Sequence, residues 1–346
     1  MKIVVTGGLG FIGSNFLTKY VPIYKDVDFV CIDIQNGSGK IENLNDEVLK
    51  ANNFKLIYCD ISEGVDLEHL LHALSPDIVI HLAAESSVDL SFKEPSIFHK
   101  TNVIGTENIV KSLIKLPFAR LIYMSTDEIY GEMPLNSNSS FKENDELKPN
   151  NPYSRSKAEA DRYVRRAIEN KSIHGTILRS CNAFGFRQGT DKLIPATLYH
   201  LLYENKAVVY GDGKNTRERI YVDDLIEIIR RVAFKASFDG LCFNIGTGKL
   251  LSNKEVIVKL IALTDKNKSE ITIESVEGRK INDLKYHLDS SLFASLFAFK
   301  FSDFEVSLQE TVEEYIANSD KSLFFDHERL KKLGRISNFY YEKKQK

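Results

Sequence analysis

Lys2-Ile3-Val4-Val5-Thr6-Gly7-Gly8-Leu9-Gly10-Phe11-Ile12-Gly13 is the stretch that decides the fold. An apolar strand over residues 2–6 runs into a glycine-rich turn, and the turn opens a helix read over residues 11–20. Gly7, Gly10 and Gly13 recur with the spacing of a dinucleotide fingerprint. One glycine permits the tight turn, one lets the backbone approach a pyrophosphate, and one lets helix and strand pack closely. Phe11 and Ile12 lie in the same turn, at a helix N-terminus whose free N–H groups face the phosphates. The next strand, over residues 28–33, ends on Asp33, in the position from which a carboxylate accepts bonds from ribose hydroxyls and repels a 2′-phosphate. The cofactor so implied is NAD rather than NADP. Asp60 and Ile61, after a third strand, are expected to flank the adenine.

Further strands are read over residues 54–60, 77–84, 120–126 and 174–180, with helices over 66–74, 98–116 and 153–170 between them. The strands are Val/Ile/Leu-rich without clean alternation, the mark of a sheet buried on both faces. Strand–helix repetition of this kind implies an α/β fold, a Rossmann-type doubly wound parallel sheet. The expected organisation is an NAD-binding domain over residues 1–180 that takes back some later segments at about 215–250. A smaller C-terminal substrate lobe follows, mainly over 181–316, and a charged tail over 317–346. Residues 133–149 read as a polar surface loop, and Ser252 to Glu255 carry the spacing of a capping box opening a helix.

The 346 residues carry 46 Lys and Arg against 48 Asp and Glu, a formal net charge of −2. That balance gives no support to a nucleic-acid-binding domain, which is usually strongly basic. The 4 cysteines (Cys31, Cys59, Cys181 and Cys242) are far apart with no C-x-x-C pair, which indicates neither a zinc site nor a disulfide framework. No apolar run approaches the ~18 residues of a membrane helix. The expectation is a cytoplasmic protein without a metal.

Tyr153-Ser154-Arg155-Ser156-Lys157 sets a phenol and an ammonium four residues apart, on one face of a helix. An ammonium nearby favours the phenolate and is expected to lower the Tyr153 pKa, so that the phenol can take a proton from a sugar hydroxyl.

Thr6 to Gly13, His81-Leu82-Ala83-Ala84-Glu85, Thr101-Asn102, Ser125-Thr126 and Tyr153/Lys157 together resemble the extended short-chain dehydrogenase/reductases over roughly residues 1–316. That resemblance implies tightly bound NAD, contacted also by Leu82, Ala83, Ala84 and Thr101 and gripped at its nicotinamide ribose by Tyr153 and Lys157. It implies a nucleotide-sugar substrate whose reacting hydroxyl meets Thr126, and a homodimer paired through the helices at 98–116 and 153–170. Within the family, Asp127-Glu128 is similar to the acid pair of the nucleotide-hexose 4,6-dehydratases, where epimerases carry small or apolar residues. By that likeness the sugar is oxidised at C4, Glu128 removes the C5 proton, Asp127 protonates the departing C6 hydroxyl, and C6 is reduced to give a 4-keto-6-deoxy sugar. Acid and base need different protonation states, hence environments that separate their pKa values.

The same likeness assigns Glu85, Ser86, Asn182, Lys192 and Leu193 to the substrate, with Arg217 as the diphosphate clamp and Arg279 and Lys285 as added positive charge. Several positions depart from the family pattern. E-S-H-V-D-R-S reads Glu85-Ser86-Ser87-Val88-Asp89-Leu90-Ser91, and N-N-Y-G reads Asn182-Ala183-Phe184-Gly185. R-D-W reads Arg217-Glu218-Arg219, and H-D-R-R reads Asn282-Asp283-Leu284-Lys285. NAD and catalytic motifs are intact while sugar- and nucleotide-facing positions are altered, which leaves the base and the hexose open. A C4 epimerase or decarboxylase of the same family, and a non-catalytic NAD-binding regulator, are the alternatives.

Overall fold

The computed structural model describes residues 1–264, 271–276 and 283–318. Seven strands form one parallel sheet: β1 (Lys2–Thr6), β2 (Asp28–Asp33), β3 (Phe54–Tyr58), β4 (Ile78–His81), β5 (Arg120–Thr126), β6 (His174–Ser180) and, from far along the chain, Cys242–Ile245. Their spatial order is β3-β2-β1-β4-β5-β6 followed by Cys242–Ile245, and every neighbouring pair is parallel. Strand order reverses between β1 and β4, where a crevice opens beyond the carboxyl ends of the strands.

Both faces of the sheet are apolar because helices cover both. Ile3, Val5, Ile78 and Ile80 pack with the helices Phe11–Tyr20 and Val222–Ala233 on one side. Val4 and Val79, one residue out of phase, pack with Gly64–Leu74, Gly105–Ile114 and Pro152–Glu169 on the other. Side chains alternate between faces along a strand, so two apolar faces give an unbroken apolar run.

The helix expected over 98–116 is divided. Pro95–Phe98 is α-helical, His99–Ile104 widens into π-helical turns, and Gly105–Ile114 resumes the α-helix. In the wide turn the Asn102 side chain accepts from the Glu85 backbone N–H at 2.8 Å. It also donates to the Glu85 carbonyl and to Ser156 Oγ, each at 2.9 Å. A polar clamp inside the structure is the usual reason for such a bulge. Here it fixes the loop that leaves β4.

In the lobe, β7 (Asn182–Phe184) and β9 (Thr216–Tyr221) pair in parallel, and β9 pairs antiparallel with Leu250–Ser252. β8 (Lys206–Tyr210) pairs with Thr272–Val276. The helices Leu193–Glu204, Asn253–Leu263 and Phe304–Ala317 close a separate core around Leu198, Leu201, Val256, Leu260, Leu308 and Val312. Ser252 caps Asn253–Leu263 with the reciprocal Glu255 bonds of a capping box. The polar stretch at 133–149 is pinned rather than loose. The Met133 and Phe141 N–H groups donate to the carbonyls of Lys285 and His287, and the Phe141 ring stacks on Tyr130 at 5.0 Å.

Candidate active site

A cavity of about 1170 Å³ runs from the first glycine turn, past the ends of β5 and β6, into the lobe. Gly7, Gly10, Phe11, Ile12 and Gly13 form its floor at one end, with Leu82 and Ala84 beside them. The glycines are required by space. A Cβ on Gly7, whose φ is 71°, would lie 2.5 Å from the Ala83 backbone nitrogen, and one on Gly13 would lie 2.4 Å from the Gly7 carbonyl oxygen. Ala83 therefore acts as the backbone against which the turn closes. Asp33 stands at the end of β2, where its carboxylate accepts from the Leu9 N–H at 3.0 Å and the Gln35 N–H at 2.9 Å. These bonds hold its charge against burial, which pushes its pKa up. A dinucleotide fits here: a pyrophosphate lies on a Cβ-free turn at a helix N-terminus. Farther in, the buried Ser125 Oγ lies on the cavity wall without a protein partner.

Asn151 starts the Pro152–Glu169 helix through a capping box with Ser154, and a proline follows at the first turn. This fixes Tyr153 and Lys157 on the inward face of the first two turns, both on the cavity wall. Lys157 Nζ donates to the Met124 carbonyl at 2.8 Å and lies 4.5 Å above the Tyr123 ring. Burial pulls its pKa down to about 8. The expected lowering of the Tyr153 pKa is overturned. Burial raises it well above the usual phenol value, and the charges of Glu128 and Asp127 raise it further, with a Thr126 hydrogen bond in opposition. The Lys157 ammonium is spent on a carbonyl, so what surrounds the phenol is desolvation and carboxyl charge.

The acid pair occupies a single turn at the end of β5, Asp127–Tyr130, capped by Thr126 Oγ1, which accepts from the Glu128 N–H at 3.3 Å. Thr126 Oγ1 also donates to Asp127 Oδ1 at 3.2 Å. Asp127 is fully buried behind the wall, and burial together with the Glu128 charge pushes its pKa up to about 8. Glu128 reaches the wall itself. Burial and Asp283 raise its pKa, while Lys192, Arg217 and a hydrogen bond from Asn151 Nδ2 at 3.4 Å oppose the rise. Two adjacent carboxyl groups thus stand in different surroundings: Arg217 acts on both, while Lys192 and the Asn151 amide act on Glu128 alone. At neutral pH this keeps the proton on Asp127, while the groups around Glu128 oppose the rise that burial causes.

On the lobe side Ser86, Asn182, Lys192, Leu193 and Arg217 line the cavity. Lys192 Nζ donates to the Ser86 carbonyl at 2.6 Å, and the Arg217 guanidinium lies over the Tyr286 ring at 4.3 Å. Several expected contacts are not brought to the wall. Glu85 is held at its backbone by Asn102, and Thr101 lies in the wide helical turn. Asp60 caps a turn through Ser62 and meets Lys100, while Ile61 packs in the core against Gly105. Lys285 points away: its Nζ donates to the Ser137 carbonyl at 2.6 Å and ties down the 133–149 segment. Arg279 lies outside the described residues.

Sequence reasoning missed a buried network beneath the acid turn. Arg179, fully buried, forks onto both Asp161 oxygens at 2.6 and 3.0 Å and donates to Tyr130 Oη at 2.7 Å and to the Glu143 carbonyl at 2.8 Å. Tyr130 Oη in turn donates to Asn244 Oδ1 at 2.7 Å. A lone arginine in an apolar strand was the available signal. His81 was also overlooked. Its ring bridges Thr6 and Thr106 at 2.7 and 3.0 Å, and burial drives its pKa down to about 3, so it stays neutral. No group of three or more His, Cys, Asp or Glu side chains among the described residues could hold a metal.

Fold and site define an extended short-chain dehydrogenase/reductase, and the chain belongs to the NAD dependent epimerase/dehydratase family, whose model matches residues 3–246. It is 33% identical over 320 residues to a dTDP-glucose 4,6-dehydratase of Mycobacterium tuberculosis, covering 92% of this chain and 94% of that one. It is 35% identical over 320 residues to the low-salt glycan biosynthesis protein Agl12 of Haloferax volcanii, covering 92% and 100%. Among solved structures it is similar to DesIV, a dTDP-glucose 4,6-dehydratase of Streptomyces venezuelae crystallised with NAD. The TM-score is 0.85 at 31% identity, over 94% of this chain and 99% of that one.

Proposed function

We propose that this chain is an NAD-dependent nucleotide-sugar 4,6-dehydratase, a hydro-lyase of deoxysugar biosynthesis that converts an NDP-hexose to an NDP-4-keto-6-deoxyhexose. The observation that carries this reading is the buried Asp127-Glu128 pair at the mouth of β5, set against Tyr153 in a cavity continuous with the glycine turn. Gly7 to Gly13 and Lys157 would hold NAD, which when bound would supply the hydride acceptor for C4 and the hydride donor for C6. Tyr153 receives the C4 hydroxyl proton as a phenolate, and Thr126 orients that hydroxyl. Lys157 and the cationic nicotinamide ring would favour the phenolate once NAD is bound, against the burial and carboxyl charge that raise its pKa. Glu128, as its carboxylate, removes the C5 proton and returns a proton to C5 when C6 is reduced. Asp127, protonated, gives its proton to the C6 hydroxyl as it leaves as water. Asn182, Lys192, Leu193 and Arg217 hold the nucleotide end, and a dTDP-hexose is the first substrate to test, given the relatives.

The experiment is a panel of dTDP-, UDP-, GDP- and CDP-hexoses, with and without N-acetyl groups, followed by mass spectrometry. Loss of the mass of one water is the expected result. Turnover with no change in mass would identify an epimerase instead.

A two-part organisation goes with this reading, with the NAD-binding domain over 1–180 joined by the later strand at 242–245 and the substrate lobe over most of 181–316. A homodimer is part of the proposal too. Its support is that Ile104 and Ile114 are exposed along the helix the family pairs, with Phe118 exposed just beyond. A monomer by light scattering at micromolar concentration would contradict it. The proposed location is the cytoplasm, which free thiols at all four cysteines suit. No helix among the described residues is long and apolar enough to cross a membrane.

A further inference from the structure

β9 reads Thr216-Arg217-Glu218-Arg219-Ile220-Tyr221. Alternation along a strand puts Arg217 and Arg219 on one face and Glu218 on the other. Glu218 is fully engaged on its own side: it meets His287 Nδ1 at 2.7 Å and accepts from the Leu288 N–H at 2.8 Å and the Gly248 N–H at 2.7 Å. The two arginines face the cavity, and among the described residues neither forms an ion pair.

Arg219 is the more unusual of the two. It is buried, and its contacts are all neutral. Nη1 donates to the Leu251 carbonyl at 2.9 Å and the Arg217 carbonyl at 3.3 Å, and Nη2 donates to Asn253 Oδ1 at 2.7 Å. Burial, and then the Arg217 charge, pull its pKa down to about 9. The Glu255 carboxylate opposes that fall without touching the guanidinium, and a guanidinium taken out of water with no anion in contact is costly to keep unless a ligand supplies the counter-charge. By taking the Asn253 oxygen, Arg219 also orients that amide, and Asn253 lines the same cavity at the start of a helix.

The family pattern sharpens the point. It has tryptophan where this chain has Arg219, and arginine where this chain has Leu284. The segments that carry the two positions adjoin at Thr216 and Arg217. The Thr216 N–H donates to the Leu284 carbonyl, and Arg217 Nη2 donates to the Asp283 carbonyl at 2.6 Å. The positive charge has moved from one segment to the adjoining strand, and its number is unchanged.

We infer that Arg219 is the second guanidinium of an anion subsite and that it takes, with Arg217 and the Asn253 amide, the diphosphate of the substrate. The assignment rests on the nucleotide-sugar reading above, and it names a specificity-determining residue that the family pattern does not contain. Two forked donors on adjacent turns of the pleat suit a diphosphate better than a single phosphate.

The test is calorimetric titration of the full chain with inorganic pyrophosphate, dTDP and dTMP. In Arg219→Gln, pyrophosphate and dTDP affinity should fall by about 10- to 100-fold and dTMP affinity by much less. NAD affinity should stay as it is. In catalysis KM should rise more than kcat falls. Arg219→Lys should keep part of the affinity, and Leu284→Arg should restore most of it in an Arg219→Trp background. Thermal melting of each variant separates loss of binding from loss of fold. If Arg219→Gln folds and binds pyrophosphate within twofold of the unaltered chain, the assignment of Arg219 is overturned while the dehydratase reading stands. Should Arg219→Gln not fold, Arg219→Lys with unchanged pyrophosphate affinity and no recovery by Leu284→Arg would overturn it. If pyrophosphate binding depends on Arg219 yet no nucleotide hexose loses water, the subsite stands and the dehydratase reading falls.

Discussion

The two ends of the cavity offer different means of holding a phosphate. At the NAD end one continuous run, Gly7 to Gly13, offers backbone, and the absence of side chains is what matters, since a Cβ would strike main-chain atoms at 2.4–2.5 Å. At the lobe end Lys192, the β9 pair Arg217 and Arg219, and Asn253 come from three separate segments and offer side chains. A backbone cradle has one local solution and cannot drift. A cluster of charged side chains needs only the right charge in the right volume. Between them lies the acid turn, with its capping threonine and its tyrosine, where both kinds of binding meet.

Several experiments would break or sharpen that contrast. The largest effect is expected at the meeting point. Glu128→Gln should lower turnover by about 10²- to 10⁴-fold, while reduced nicotinamide absorbance still appears on mixing with substrate. Tyr153→Phe should lose both. Normal turnover in Glu128→Gln would remove it as the base.

Next comes the backbone cradle. Gly13→Ala forces a Cβ into main chain, and overpacking of about 1–3 kcal/mol should weaken NAD by roughly 10- to 100-fold in a fluorescence titration. Pyrophosphate binding at the lobe should be untouched. Equal losses at both ends would show that the two are not independent.

A pH profile follows. Asp127 and Lys157 work as the protonated forms, and burial brings both pKa values to about 8, one from below and one from above. kcat/KM should therefore be level near neutrality and fall above pH 8, approaching about a hundredfold per unit as both protons are lost. A rate still rising at pH 9 would contradict this. The smallest effect is expected at Lys285, whose ammonium serves the Ser137 carbonyl. Lys285→Met should leave KM within about twofold and cost about 1 kcal/mol in thermal melting.

How much was legible followed from how local the cause was. β1, β2, β5 and β6 and the helix after the glycine turn stand where the apolar runs and glycines put them. So does the Ser252 capping box, which is set by residues three apart. The break in the helix after Phe98 was not legible, because it answers to Glu85 and Ser156, both far away in the chain. Lys285 and Arg217 look alike as basic residues in the sequence. One faces a cavity and the other a carbonyl, and only packing separates them. The Tyr153 pKa moved opposite to the expectation from Lys157. Helix spacing gives the neighbour on the helix, whereas burial and carboxyl charge from β5 act across the fold.

The sequence by itself determined the α/β class, the dinucleotide turn and the phenol–ammonium pair, because each rests on steric or hydrogen-bonding rules that act over a few residues; the acid pair was legible only through the family resemblance. The tertiary structure alone decided which carboxyl group keeps its proton, which cations reach the cavity and where the second guanidinium stands. Those outcomes depend on desolvation and on charges brought together by segments that only the folded sheet makes neighbours.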